Sequence, residues 1–141
     1  MEEVLTKPFY VVRVSADAKF VLVAQYAKGT PLKERTYYRC TYADNRFRRC
    51  TWEAALQSSS GIASGMGYGE LPDAPFDSMK AVRAWRTRAR LVAQIASCRE
   101  IIGFYEGEPR TQAQMRARVK SLEKKLAKLD AQAAAHSPLG S

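Results

Sequence analysis

Between Met115 and Ala133 the apolar residues recur in alternating steps of four and three: Met115, Val119, Leu122, Leu126, Leu129 and Ala133. That spacing is the a/d seam of a coiled coil, and a strand, whose side chains repeat every two residues, cannot use it. The preceding stretch carries Val82, Trp85, Ala89, Val92, Ile95, Ala96 and Ile102 on one side of a helix, with Arg83, Arg86 and Arg90 on the other. Only the short break Gly103–Pro109 separates the two patterns. Two apolar stripes joined so closely pack on each other first, so a helical hairpin is expected over 77–135, with Leu122 and Leu126 buried. The seam over 115–133 also suits pairing with a second copy as a homodimer. Asp77 or Ser78 is the expected cap of the first helix, and Thr111 with Gln114 resembles a capping box for the second.

Residues 1–57 alternate with the shorter period of strands. Pro8–Val14 and Lys19–Ala27 flank the turn residues Ser15–Ala18, and the second of these runs is apolar on both faces in its middle. A strand of that kind is expected at the centre of a sheet, covered on both sides. Glu34–Tyr42 and Phe47–Thr51 flank the turn Ala43–Arg46 and read as a second hairpin. Thr51 can cap a short helix over Trp52–Gln57. The expected fold class is α+β: a small antiparallel β-sheet of three or four strands followed by a long antiparallel helical hairpin. Residues 58–76, rich in Gly, Ser and Pro, read as a linker, and 136–141 as a disordered tail.

Composition narrows the function. The 141 residues carry 23 Lys and Arg against 14 Asp and Glu, a formal net charge of +9. That balance favours an anionic partner: nucleic acid, a ribonucleoprotein or an acidic protein surface. The start Met1-Glu-Glu-Val lacks the basic and apolar regions of a signal peptide, and the longest apolar run, Phe20–Ala24, is far too short to span a bilayer. Three cysteines, an odd number, do not read as a disulfide framework. The expectation is a cytoplasmic protein with free thiols and no membrane partner. The one histidine, His136, removes the common acid–base and nucleophile-activating arrangements, so no catalytic residues and no enzyme activity are expected. Cys40 and Cys50 flank one turn, but with too few further ligands no metal and no cofactor are expected. The run Gly65-Met-Gly-Tyr-Gly69 lacks the Gly-Lys-Ser/Thr and the following helix of a phosphate loop.

The clearest functional pattern is basic. Ser78–Arg99 contains no acid, and Lys80, Arg83, Arg86 and Arg90 fall within one sector of a helix. Arg116, Lys120 and Lys124 belong to a second basic run that also holds Arg118, Lys125 and Lys128. A solvated coiled-coil flank normally mixes in glutamates for pairing, whereas the first segment holds none and the second only Glu123. In the second hairpin Arg35, Arg39, Arg46, Arg48 and Arg49 interleave with Tyr37, Tyr38, Tyr42 and Phe47. Aromatic platforms beside guanidiniums suit single-stranded nucleic acid, and Tyr37 is the tyrosine assigned to the partner, Tyr38 and Tyr42 to the core. The expected function is non-catalytic binding of nucleic acid or a ribonucleoprotein. The alternative is a protein-interaction module, an inhibitor or adaptor of the kind carried by phages and mobile elements, docking on an acidic surface.

Overall fold

A computed structural model describes residues 7–41, 44–57 and 68–135. The chain forms β1 (Phe9–Val14), β2 (Val21–Gln25), a 3₁₀ turn (Leu32–Glu34), β3 (Thr36–Cys40), β4 (Arg48–Cys50), α1 (Trp52–Gln57), α2 (Met79–Phe104) and α3 (Pro109–Ala135). The strands make one antiparallel sheet in the order β1-β2-β3-β4. The α+β reading, an antiparallel sheet followed by two packed helices, holds. Two compact units divide the chain at Thr87 and Arg88, so α2 contributes its first turns to one unit and the rest to the other. Tyr42, residues 58–67 and the tail 136–141 lie outside the described residues.

In the first unit β2 is central, and its Val21, Leu22, Val23 and Ala24 are all buried. Leu22 and Ala24 pack with Tyr37 and with Ala55 of α1, inside a ring that includes Val12, Phe20 and Trp52. Val21 and Val23 point the other way, in register with Val14 and Val11 of β1 and with Cys40 and Tyr38 of β3. A continuous apolar run follows directly from having neighbours on both faces. Thr51 caps α1 as expected, its hydroxyl accepting from the Ala54 N–H at 3.1 Å. Ser78 does the same for α2, accepting from the Ala81 N–H at 3.1 Å.

The segment read as linker is partly structured. Tyr68 and Phe76 form antiparallel bridges to Ser15 and Phe9 at the two ends of β1, on its outer edge. The Gly69 N–H donates to the Val14 carbonyl at 2.8 Å. A Cβ at position 69 would lie 2.6 Å from the Ser15 carbonyl oxygen, so this close approach requires glycine. One member of the glycine run is thereby explained by packing against a strand edge, which also covers that edge.

The largest departure from expectation is Arg86. Arg86, placed by sequence on the exposed side of its helix, is 1% exposed. It follows Val82, fully buried, by four residues, one turn on, and so shares the buried side. Its Nε donates to the Ala18 carbonyl at 3.1 Å, one Nη to the Lys19 carbonyl at 2.6 Å and the other to Asn45 Oδ1 at 3.1 Å. Ala18 and Asn45 both have φ near 59°, left-handed turn conformations that present these acceptors. Asn45 Nδ2 in turn reaches the Arg83 carbonyl and Thr87 Oγ1. One guanidinium therefore ties the β1–β2 turn, the β3–β4 turn and α2 together.

The second unit contains the expected hairpin. Ile95 and Cys98 of α2 and Val119 and Leu122 of α3 are buried together, with Leu91, Ile102, Met115 and Leu126 packed around them. Of the seam that also suited a second copy, the part from Met115 to Leu126 packs against the chain's own α2. The α2 stripe differs from expectation: Val92 is 42% exposed and Ala96 is exposed, while Leu91 and Cys98 face the seam. The break is also shorter than expected. α2 continues through Gly103 to Phe104, Gly107 takes φ 94° in the turn, and α3 starts at Pro109. Proline's fixed φ and missing N–H suit the first helical position, so Thr111 lies inside the helix and is not its cap. Gln112 Nε2 donates to the Ile102 carbonyl at 3.1 Å, satisfying an acceptor near the end of α2.

Two stability outcomes follow from these contacts. Arg86→Met keeps the apolar stem and removes the donors, so thermal unfolding should shift down by about 10 °C for a cost of about 3 kcal/mol. An unchanged Tm would show that the turns hold themselves. Leu122→Ala should cost about 2–5 kcal/mol by opening the seam, read as a lower urea midpoint of the helical circular dichroism signal.

Candidate nucleic-acid interface

α3 carries Arg110, Arg116, Arg118, Lys120, Lys124, Lys125 and Lys128 but only Glu123 and Asp130 as acids. Arg116, Lys120, Lys124 and Lys128 are spaced by four and all exposed. At a rise of about 1.5 Å per residue they recur about every 6 Å, and the row drifts about 40° per step, from Arg116 on the flank of the seam to Lys124 and Lys128 opposite the buried Val119 and Leu122. Val119 and Leu122 thus set which way this stripe faces.

The two acids are used elsewhere. Asp130 accepts from Arg88 Nε at 2.9 Å and from an Nη at 3.4 Å, and Glu123 pairs with Arg99. Both partners belong to α2, so the carboxylates of α3 are engaged with α2 rather than with their own helix's cations. Hydrogen bonds from Arg88 hold the Asp130 carboxyl below its usual range and raise the Arg88 guanidinium correspondingly. Among the described residues no carboxylate pairs with Arg116, Lys120, Lys124 or Lys128. Neighbouring like charges at i,i+4 repel, and nothing on α3 itself relieves them.

The first turns of α2 offer less than the sequence promised. Lys80 and Arg83 are exposed, Arg86 is buried, and Arg90 is half-buried with an Nε that has no hydrogen-bond partner among the described residues. A buried Arg86 is not available to a phosphate, so its helical sector is not a continuous cationic face.

The sheet brings together a different set. The register aligns Arg13 with Leu22, Leu22 with Arg39 and Arg39 with Arg48, one row across all four strands on the face that carries Tyr37. Arg13, Arg39 and Arg48 are exposed. Sequence reading missed Arg13 because membership of this row depends on pairing register, which a β-bulge between Val11 and Arg13 shifts further. Arg48 forms an ion pair with Asp44 at 2.8 Å, which lowers the Asp44 carboxyl. Arg46 and Arg49 are exposed. Arg35 is half-buried, its Nε on the Thr30 carbonyl and its guanidinium 3.8 Å from the centre of the Tyr26 ring.

Tyr37 reverses its expected role. It is 5% exposed, tilted against Trp52 at 5.6 Å, and its hydroxyl donates to the Leu32 carbonyl at 2.9 Å. Burial pushes its pKa up, partly offset by Arg35. It is a core residue beneath α1, whereas Tyr38 is half-buried on the other face. Single-residue alternation could not tell the faces apart, because both carry aromatics.

Cys40, Cys50 and Cys98 form no disulfide. Cys40 opposes Val21 and Cys50 opposes Tyr37, so the two flank their turn on opposite faces of the sheet. Burial raises the Cys50 thiol pKa, partly offset by Arg39. Among the described residues no three His, Cys, Asp or Glu side chains are grouped to hold a metal ion, and no helix is long and apolar enough to cross a membrane. The chain matches no known protein family, no curated protein and no solved structure.

The Asp130–Arg88 pair gives a direct titration test. A carboxylate whose pKa is depressed on folding contributes stability above its unfolded pKa and loses it as pH falls through the lower folded value. Carboxyl NMR should therefore show Asp130 titrating at lower pH in the wild type than in Arg88→Gln. Identical midpoints would show that the pair does not persist in solution.

Proposed function

We propose that the protein is a non-catalytic nucleic-acid-binding protein that engages phosphates through the outer face of α3. The observation that carries this reading is the exposed stripe Arg116, Lys120, Lys124 and Lys128, on a helix whose acids pair with α2. Cations held so close without local compensation are stabilised by an anionic ligand with regularly repeated charge. Each neutralised phosphate releases condensed counterions, so affinity comes largely from salt-sensitive electrostatics with weak sequence preference. The exposed row Arg13, Arg39 and Arg48 adds guanidiniums on the first unit, one of them ion-paired with Asp44.

The test is a variant with all four stripe residues changed to Gln. Glutamine is a good helix former and the positions are exposed, so helicity should be retained. In salt-titrated fluorescence anisotropy with duplex DNA, the slope of log K against log salt should flatten by about three to four units, since each phosphate contact contributes about 0.9. A wild-type protein that binds neither DNA nor RNA at low salt would sink the reading. The cations would then serve an acidic protein surface, and capture of a partner from nuclease-treated lysate would separate that adaptor or inhibitor role.

A further inference from the structure

Two clefts in the first unit meet at Tyr37, Trp52 and Arg35, and neither is used by the α3 stripe. The first, about 270 Å³, is floored by Leu22, Ala24 and Ala55, bounded by Trp52 and edged by Leu32 and Leu56. Leu32 and Leu56 leave 52% and 54% of their surface in solvent, although both line an apolar depression. The second, about 450 Å³, is lined by Lys33, Arg35 and Arg49 together with Thr36 and Thr51. No carboxylate lines either cleft.

Arg35, at the junction, is already in place. Its Nε donates to the Thr30 carbonyl at 3.0 Å, and its guanidinium lies on Tyr26, which stacks on Tyr10 at 4.5 Å. The terminal N–H groups of Arg35 have no acceptor among the described residues, while the Tyr37 hydroxyl is spent on the Leu32 carbonyl. The site thus offers a pre-positioned cation beside an apolar cavity, an arrangement that loses little side-chain entropy on binding.

We propose that this paired cleft is a docking site for a peptide segment of a partner protein that carries a large apolar side chain next to carboxylates. The apolar side chain fills the cleft between Leu32 and Leu56, and the carboxylates meet Arg35, Arg49 and Lys33. Charge complementarity selects an acidic segment, because every ionised group lining the site is a cation. The two exposed leucines select a peptide over a nucleic-acid strand: covering them is favourable for an apolar side chain and gives nothing to a phosphate. This site is separate from α3, so it is not a restatement of phosphate binding.

The probe is a phage-displayed library of random linear peptides, selected on the full-length protein. Peptides retained by the wild type should be enriched in Asp and Glu around a Leu, Phe or Trp. Leu56→Ser and Arg49→Gln, both at exposed positions, should each weaken those peptides by about tenfold, the loss of one anchor or one charged contact. Trp85→Phe leaves Trp52 as the sole tryptophan, and the selected peptides should shift its emission. The α3 stripe variant should bind them normally, which separates this site from the phosphate-binding face. Selection of peptides without acids, equal binding to both cleft variants, or a Trp52 shift produced by a single-stranded oligonucleotide but not by the peptides would each overturn the proposal.

Discussion

The buried guanidinium of Arg86 is the contact on which the first unit depends. Its three donors go to two backbone carbonyls of one turn and a side-chain carbonyl of another, so two sheet turns and α2 share one centre. Taking a charge out of water is costly, and the cost is offset here by charge-assisted hydrogen bonds to the Ala18 and Lys19 carbonyls and to Asn45 Oδ1. Ala18 adopts a left-handed conformation that costs a non-glycine residue about 1–2 kcal/mol, and it does so where its carbonyl meets Arg86. Strain in the turn and burial of the charge are thus two halves of one arrangement.

A second constraint orders the charges of the helical unit. The apolar seam of Ile95, Cys98, Val119 and Leu122 fixes the rotation of α3 about its own axis. Once that is set, Glu123 and Asp130 reach Arg99 and Arg88, and the Arg116–Lys128 stripe is left facing solvent. These exposed pairs contribute little stability individually, and salt screens them. Their consequence is electrostatic: they remove the helix's own counterions from its outer face. The same residues therefore serve the fold weakly and the surface potential strongly.

The sheet shows how one strand can serve two environments. Tyr37 and Tyr38 are adjacent in β3 and lie on opposite faces, one under α1 and one beside Phe9. α1 covers only part of the Tyr37 face. The uncovered part presents a cationic row at one end and the apolar and cationic clefts around Trp52 at the other. A short helix on a four-stranded sheet leaves such surface open because six residues span only about 9 Å, at a rise of about 1.5 Å each.

The sequence by itself determined element type and order wherever periodicity was strong. The four–three spacing of α3 admits no other structure, the doubly apolar β2 had to be central, and Thr51 and Ser78 mark helix starts through chemistry local to a few residues. Such features depend on neighbours along the chain, which is all a sequence displays. What tertiary structure decided was which side of an element is inside when both sides qualify. Arg86 looked exposed because arginine usually is, and only two distant turns offering carbonyls made its burial favourable. Tyr37 became a core residue because α1 packed on its face of the sheet, and Arg13 joined the arginine row through strand register. Gly69 reads as linker until the Ser15 carbonyl, just past β1, lies 2.6 Å from where its Cβ would be. Each of these outcomes rests on contacts between residues far apart in sequence, whose energies exceed the local preferences that composition and periodicity express.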